Sequence, residues 1–164
     1  MSRAAVLWEP ALAPTGELFP AAVEHVGRKL GRAKPLPAEP LPDDRAEAVA
    51  ALDAWAGSDV DWHGELRRYY EEHIPVHVRP VAAVNATLRR LHSSGFQLVW
   101  ASPGPAEATA VLLHHLGIAR LLDEIIIAPS PAAAAAALGL DAPVLVEHGL
   151  DELLALVNEP AVAT

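Results

Sequence analysis

Four short apolar runs are separated along this chain by segments of helical length, and that alternation restricts the fold more than any other feature of the sequence. The runs are Ala4-Ala5-Val6-Leu7-Trp8, Phe96-Gln97-Leu98-Val99-Trp100-Ala101, Ile125-Ile126-Ile127 and Val144-Leu145-Val146. Continuous apolar runs of this length, bounded by turn residues, suit strands buried on both faces. Parallel strands need helical crossovers between them. The pattern therefore predicts an α/β fold with a parallel sheet covered by helices on both faces. Open parallel sheets bind ligands beyond the carboxyl ends of their strands. Here those ends are Trp8-Glu9, Ala101-Ser102, Ile127-Ala128 and Val146-Glu147-His148.

Between the first and second runs lies a stretch that is helical throughout. Leu18, Ala22, Val26 and Leu30 recur every four residues, and Gly31 follows as a stop. The four prolines between Lys34 and Pro42 predict a stiff connector. A second helix starts near Asp43 or Asp44 and ends at Gly57-Ser58. Asp61 caps a third, which carries Trp62, Leu66, Tyr69 and Tyr70 and stops before Pro75. On this reading His73 and His77 do not share a helix, so their spacing is chance and not a metal pair. Pro80 opens the next helix, with Val84, Leu88 and Leu91 on its apolar face and Gly95 at its end. The turn Ser102-Pro103-Gly104-Pro105 leads into a helix that Gly117 terminates. Ala132 to Ala137 form a helix lying on the sheet, Leu150 to Val157 form the last helix, and Glu159 to Thr164 fray. Residues 1–15 and 80–164 are then the core, and 16–79 a helical insert after the first strand.

Charge narrows the partners. Twelve Lys and Arg against 21 Asp and Glu give a formal charge of −9, which repels phosphate backbones and anionic lipid. Neither nucleic acid nor membrane is expected. The chain has no cysteine, so disulfides, thiolate metal sites and a thiol nucleophile are excluded. With no long apolar segment and no basic leader, the expected location is the cytoplasm. The expected partner is another protein or a small phosphorylated metabolite, and the alanine-rich helix leaves room for a homodimer.

A helical insert after the first strand, with a serine ending the second, resembles the haloacid dehalogenase-like superfamily, particularly its phosphoglycolate-phosphatase-like members with a helical cap. The residues that carry the likeness are Ala5-Val6-Leu7-Trp8-Glu9, the stretch from Arg79-Pro80 to Gly95, and Phe96 through Ser102. His115-Leu116-Gly117-Ile118 and Leu122-Asp123-Glu124-Ile125 add to it. The resemblance implies a Rossmann-like core and Mg²⁺-dependent phosphoryl transfer. It also implies a nucleophilic aspartate at the end of the first strand and a second aspartate, two residues on, as general acid and base.

This chain departs from that machinery. Glu9 and Ala11 stand at the two aspartate positions. One extra methylene moves a carboxylate by on the order of 1 Å, enough to cost about 100-fold in a positioned reaction. Ala11 has no proton to give, which removes a contribution of about 100- to 10,000-fold. The lysine of the third motif is missing, since Lys29 and Lys34 are the only lysines and Arg120 is the last arginine. An arginine of the insert such as Arg28, Arg67 or Arg79 is the remaining source of positive charge. The fourth motif reads Glu147-His148-Gly149. Ser102 keeps the family's hydroxyl, and Ser102, Gly104, Glu147 and His148 are the expected ligand-binding residues.

Three functions follow. The first is a haloacid dehalogenase-like pseudoenzyme that has lost phosphatase activity and works by binding a partner or small molecule. The second is a phosphohydrolase with Glu9 as nucleophile, Ser102 on the phosphate and Mg²⁺ held by Glu9 and Glu147. The third is a hydrolase using another metal, Zn²⁺ or Mn²⁺, at Glu9, Glu147 and His148. Beside these stands the plain reading of Glu9 as a solvated carboxylate or one bonded at a helix N-terminus.

Overall fold

The computed structural model describes residues 3–31, 33–37 and 39–158. The four apolar runs form four parallel strands: β1 (Ala4–Trp8), β2 (Gln97–Ser102), β3 (Glu124–Ile127) and β4 (Val144–Val146). Their order across the sheet is β3-β2-β1-β4. β1 is thus central, with Leu7 beside Trp100 on one side and Val146 on the other.

Eight α-helices and one 3₁₀ turn (Ala119–Leu121) complete the described fold: α1 (Glu9–Leu12), α2 (Leu18–Leu30), α3 (Arg45–Ala56), α4 (Trp62–His77), α5 (Ala82–Ser93), α6 (Ala106–Leu116), α7 (Pro131–Ala137) and α8 (Leu150–Asn158). α3 and α4 begin where their caps predict. Asp44 and Asp61 accept hydrogen bonds from the backbone N–H groups of Glu47 and Gly64. Gly117, with φ of +70°, takes the left-handed conformation that ends α6.

The two faces of the sheet are covered unequally. Alternate residues Ala5, Leu7, Leu98 and Trp100 point into a large apolar cluster that also holds Leu88 and Leu91 of α5, Leu112 and Leu113 of α6, and Leu153 of α8. Leu52, Trp62, Leu66, Tyr70 and Ile74 of the inserted helices belong to the same cluster. The insert is therefore fused to the core through shared apolar packing. On the opposite face Val6, Val99 and Ala101 meet Ala134 and Ala135, and the small side chains of α7 let that helix lie close to the sheet.

Three details differ from the sequence expectation. α4 runs through Pro75 to His77. Proline removes one backbone hydrogen bond, but near the C-terminal end the helix is held on both sides, by buried Ile74 and by the Val78 N–H bonded to the Ile74 carbonyl. His73 and His77 consequently do share a helix, and their rings stack at 6.3 Å between centroids. α5 begins at Ala82, not Pro80, with Val81 as its N-cap. β3 is an edge strand, not a buried one, and its Ile125 and Ile127 are 49% and 42% exposed. The expected fraying of Glu159 to Thr164 lies outside the described residues.

Candidate functional site

Following β1, the chain turns directly into the single turn of α1, whose first residue is Glu9 and second Pro10. Ala5 and Leu7 share a face of the sheet with Leu98 and Trp100, and Glu9 reaches Trp100 and Ser102 from the start of α1. Glu9 is only 2% exposed. Its carboxylate faces three donors: Trp100 Nε1 donates to Oε1 at 3.1 Å, Thr109 Oγ1 to Oε1 at 3.0 Å, and Ser102 Oγ to Oε2 at 2.7 Å. Burial pushes the Glu9 pKa up, and the bonds from Ser102, Trp100 and Thr109, with the positive charge of Arg45, only partly offset it. The plain reading of Glu9 is thereby corrected. The carboxylate is neither solvated nor bonded to a helix N-terminus, because its length carries it past the end of the strand to side-chain donors inside the protein.

Ser102 is fully engaged as well. Beyond its bond to Glu9, its Oγ accepts the Gly104 N–H at 3.0 Å and lies 2.8 Å from Thr109 Oγ1. The glycine is required at this turn, since Gly104 has φ of +89°. Its peptide bond to Pro105 is cis.

A cavity of about 530 Å³ opens beside this cluster, lined by Glu9, Pro14, Thr15, Gly16, Glu17, Arg45, His77 and Gly104 among others. Arg45, the first residue of α3, brings a cation into it. Its guanidinium lies 4.0 Å above the Phe19 ring and donates to the Gly104 carbonyl at 3.3 Å and the Gly16 carbonyl at 3.5 Å. Burial lowers the Arg45 pKa, opposed by the nearby Tyr70 and Glu9. The Tyr70 hydroxyl is buried with no hydrogen-bond partner among the described residues, and its pKa is raised by burial against the opposing charge of Arg45.

The sequence pointed to Arg28, Arg67 or Arg79 as the substitute cation. Arg28 and Arg67 instead pair with Glu24 and Glu71 on exposed helix surfaces. Arg45 was missed because, next to Asp43, Asp44 and Glu47, it reads as part of a charged helix start. The one available signal was its place at the N-terminus of a capped helix of the insert, where a long side chain can reach back over the preceding loop.

Glu147 and His148 are organised separately. Their backbone N–H groups both bond to Glu152 Oε1, at 2.6 and 3.1 Å. His148 lines a second pocket with Gly149, Leu150, Asp151 and Glu152. Among the described residues no three His, Asp or Glu side chains come together as a metal-holding group. Mg²⁺ requires several oxygen ligands in octahedral array. The residues present do not fit it, because both Glu9 oxygens already face protein donors and Glu147 lies on the loop organised by Glu152.

No family model matches the chain, and no curated protein matches it in sequence. Solved structures do match in fold. A predicted phosphatase from Clostridium acetobutylicum superposes with a TM-score of 0.50 at 16% identity, over 89% of this chain and 75% of that one. A haloacid dehalogenase-like family hydrolase from Streptococcus pneumoniae gives 0.48 at 15% identity, over 88% and 73%. The chain has the haloacid dehalogenase-like fold. Within that fold, β1 and β2 bring Glu9 and Ser102 together at their carboxyl ends, and the cap helix α3 sets Arg45 over the same cavity. No helix among the described residues is long and apolar enough to cross a membrane.

Proposed function

We propose that this chain keeps the haloacid dehalogenase-like fold without its phosphoryl-transfer chemistry, and that it holds a small anionic molecule in the cavity beneath Arg45. The observation that carries the reading is the orientation of Glu9. A nucleophilic carboxylate needs a free oxygen aimed in line at the reacting atom. Both Glu9 oxygens are instead bonded to Trp100, Ser102 and Thr109, and the side chain is almost wholly buried. Ala11 supplies no acid, and no lysine exists beyond Lys34. What the cavity does offer is the Arg45 guanidinium, a group suited to carboxylate or phosphate oxygens. Thr15 and the Gly16 and Gly104 backbone lie around it.

Phosphate release from a panel of phosphate esters, with Mg²⁺, Mn²⁺, Zn²⁺ or EDTA, tests the loss of chemistry. Wild type and Glu9→Gln are expected to give the same background rate. Metal-dependent turnover that Glu9→Gln abolishes would reinstate Glu9 as a nucleophile. Calorimetric titration with inorganic phosphate and with short carboxylates tests the binding half. Binding to wild type that Arg45→Met weakens by at least tenfold supports it, and binding indifferent to Arg45→Met overturns it.

A further inference from the structure

The cap and the core meet at a second place away from the cavity, and the chemistry there is unusual. His63, the second residue of α4, sits between two carboxylates from different helices. Its Nε2 contacts Asp53 Oδ1 of α3, and its Nδ1 contacts Glu107 Oε1 at the start of α6. Asp53 is anchored in turn, because Trp62 Nε1 donates to the same Oδ1 at 2.9 Å. The Trp62 ring lies 4.5 Å from the His63 ring. Asp53 and Glu107 are the charges that act on the imidazole.

A carboxylate only accepts hydrogen bonds. Both imidazole nitrogens must then carry hydrogens, which makes the bridging ring an imidazolium. Neutral imidazole has one N–H, so loss of a proton leaves one ring nitrogen, with its lone pair, facing a carboxylate.

From this geometry we infer that His63 is a proton-operated clamp joining the cap helices α3 and α4 to core helix α6, and that it releases as the solution becomes alkaline. The clamp is a regulatory device for the cavity described above and to that extent rests on the proposed binding function. α6 begins immediately after the Gly104-Pro105 turn that Arg45 grips from α3. A change in how α3 and α6 are held together is therefore transmitted to the wall of the cavity.

Partial burial disfavours the charged ring, but the bonds and charges of Asp53 and Glu107 outweigh it and raise the His63 pKa. The sign follows. A histidine whose folded pKa lies above its unfolded value of about 6.5 stabilises the fold below that value, and the contribution is lost as pH rises through the folded pKa.

The test uses the ligand-free full chain, so its failure is separable from failure of the binding proposal. Nitrogen-15 NMR of His63 is followed from pH 5 to 10, with hydrogen-exchange protection factors for α3 and the first turns of α4. The ring is expected to be doubly protonated at the acid end of that range and to titrate above about 6.5. Protection should fall by more than twofold across that titration. In His63→Gln and Glu107→Gln the protection factors should change less than twofold over the same range. A His63 titration at or below about 6.5, or protection that is flat with pH in wild type, would overturn the clamp. The wild-type NMR titration decides even if a variant fails to fold.

Discussion

Ser102 Oγ donates to Glu9 Oε2 across 2.7 Å, and this bond ties together the carboxyl ends of the two central strands. The carboxylate at the end of β1 acts here as a staple. It also supplies the acceptor for the Trp100 indole N–H, which is buried in the sheet and needs one.

Glu9→Ala should therefore be a stability mutation. It leaves the indole N–H and the Ser102 hydroxyl without their acceptor, while Thr109 can still donate to Ser102 Oγ at 2.8 Å, and it opens a small cavity, at a cost of about 3 kcal/mol. Glu9→Gln keeps one acceptor oxygen and the volume, and should lie within about 1 kcal/mol of wild type at neutral pH. Glu9→Asp shortens the reach to Trp100 and should destabilise without creating phosphatase activity, because Ala11 and the missing lysine are unchanged. Urea midpoints and phosphate release measured on the three variants check each statement.

The raised Glu9 pKa predicts a definite dependence on pH. Between the unfolded carboxylate value of about 4.3 and the higher folded value, the folded chain retains a proton that the unfolded chain has released. Stability contributed at this position is therefore greatest at low pH and declines as pH rises through that window. Asp59 and Glu65 act in the opposite direction, held low by hydrogen bonds to Lys34 and Lys29. They are present in wild type and Glu9→Gln alike and cancel in the difference. The stability of wild type relative to Glu9→Gln should fall from pH 4 upward, and a flat or rising difference would contradict the assignment.

The strands and most helix boundaries were legible because they rest on local rules. Asp44, Asp61 and Gly117 each act through backbone groups a few residues away, and a sequence displays that directly. The errors came where tertiary packing overrides local preference. Pro75 is tolerated because Ile74 is buried beside it, and Ile125 is exposed because β3 has no neighbour on its outer side. The site was half visible. Glu9, Ser102 and Gly104 stand at strand ends, where the fold implies a cleft, whereas the partners Thr109 and Arg45 lie 100 and 36 positions from Glu9 and carry no motif. Nothing in the local sequence says that the Glu9 carboxylate turns inward, since that direction is set by Trp100 Nε1 and Thr109 Oγ1.

Arg45 joins cap to core through the Gly104 carbonyl, and within the cap it is held by the Gly16 carbonyl and by its place above Phe19. Arg45→Met preserves much of the apolar stem but removes these bonds and the cation–π contact. A loss of about 1–2 kcal/mol is expected. The loss should shrink in Arg45→Lys by less than half, because one ammonium cannot reproduce the planar fork that spans both carbonyls. Thermal unfolding of the two variants, compared at matched pH, measures this.

Gly104 is where the staple and the arginine converge. Its N–H bonds to Ser102 Oγ and its carbonyl to Arg45, so any shift of this peptide disturbs both. With φ of +89° the backbone lies in a region that L side chains avoid, and a Cβ built here would come 3.3 Å from Ile127 Cγ2. The neighbour can yield slightly, because Ile127 stands on the exposed edge strand. The conformational strain cannot be relieved that way. Gly104→Ala should therefore cost about 1–3 kcal/mol, mostly from strain. Ile127→Ala in the same background should recover only a small part of it, and recovery of more than half would make the Ile127 contact the main cause. Denaturant unfolding of wild type, both single variants and the double variant gives the coupling directly.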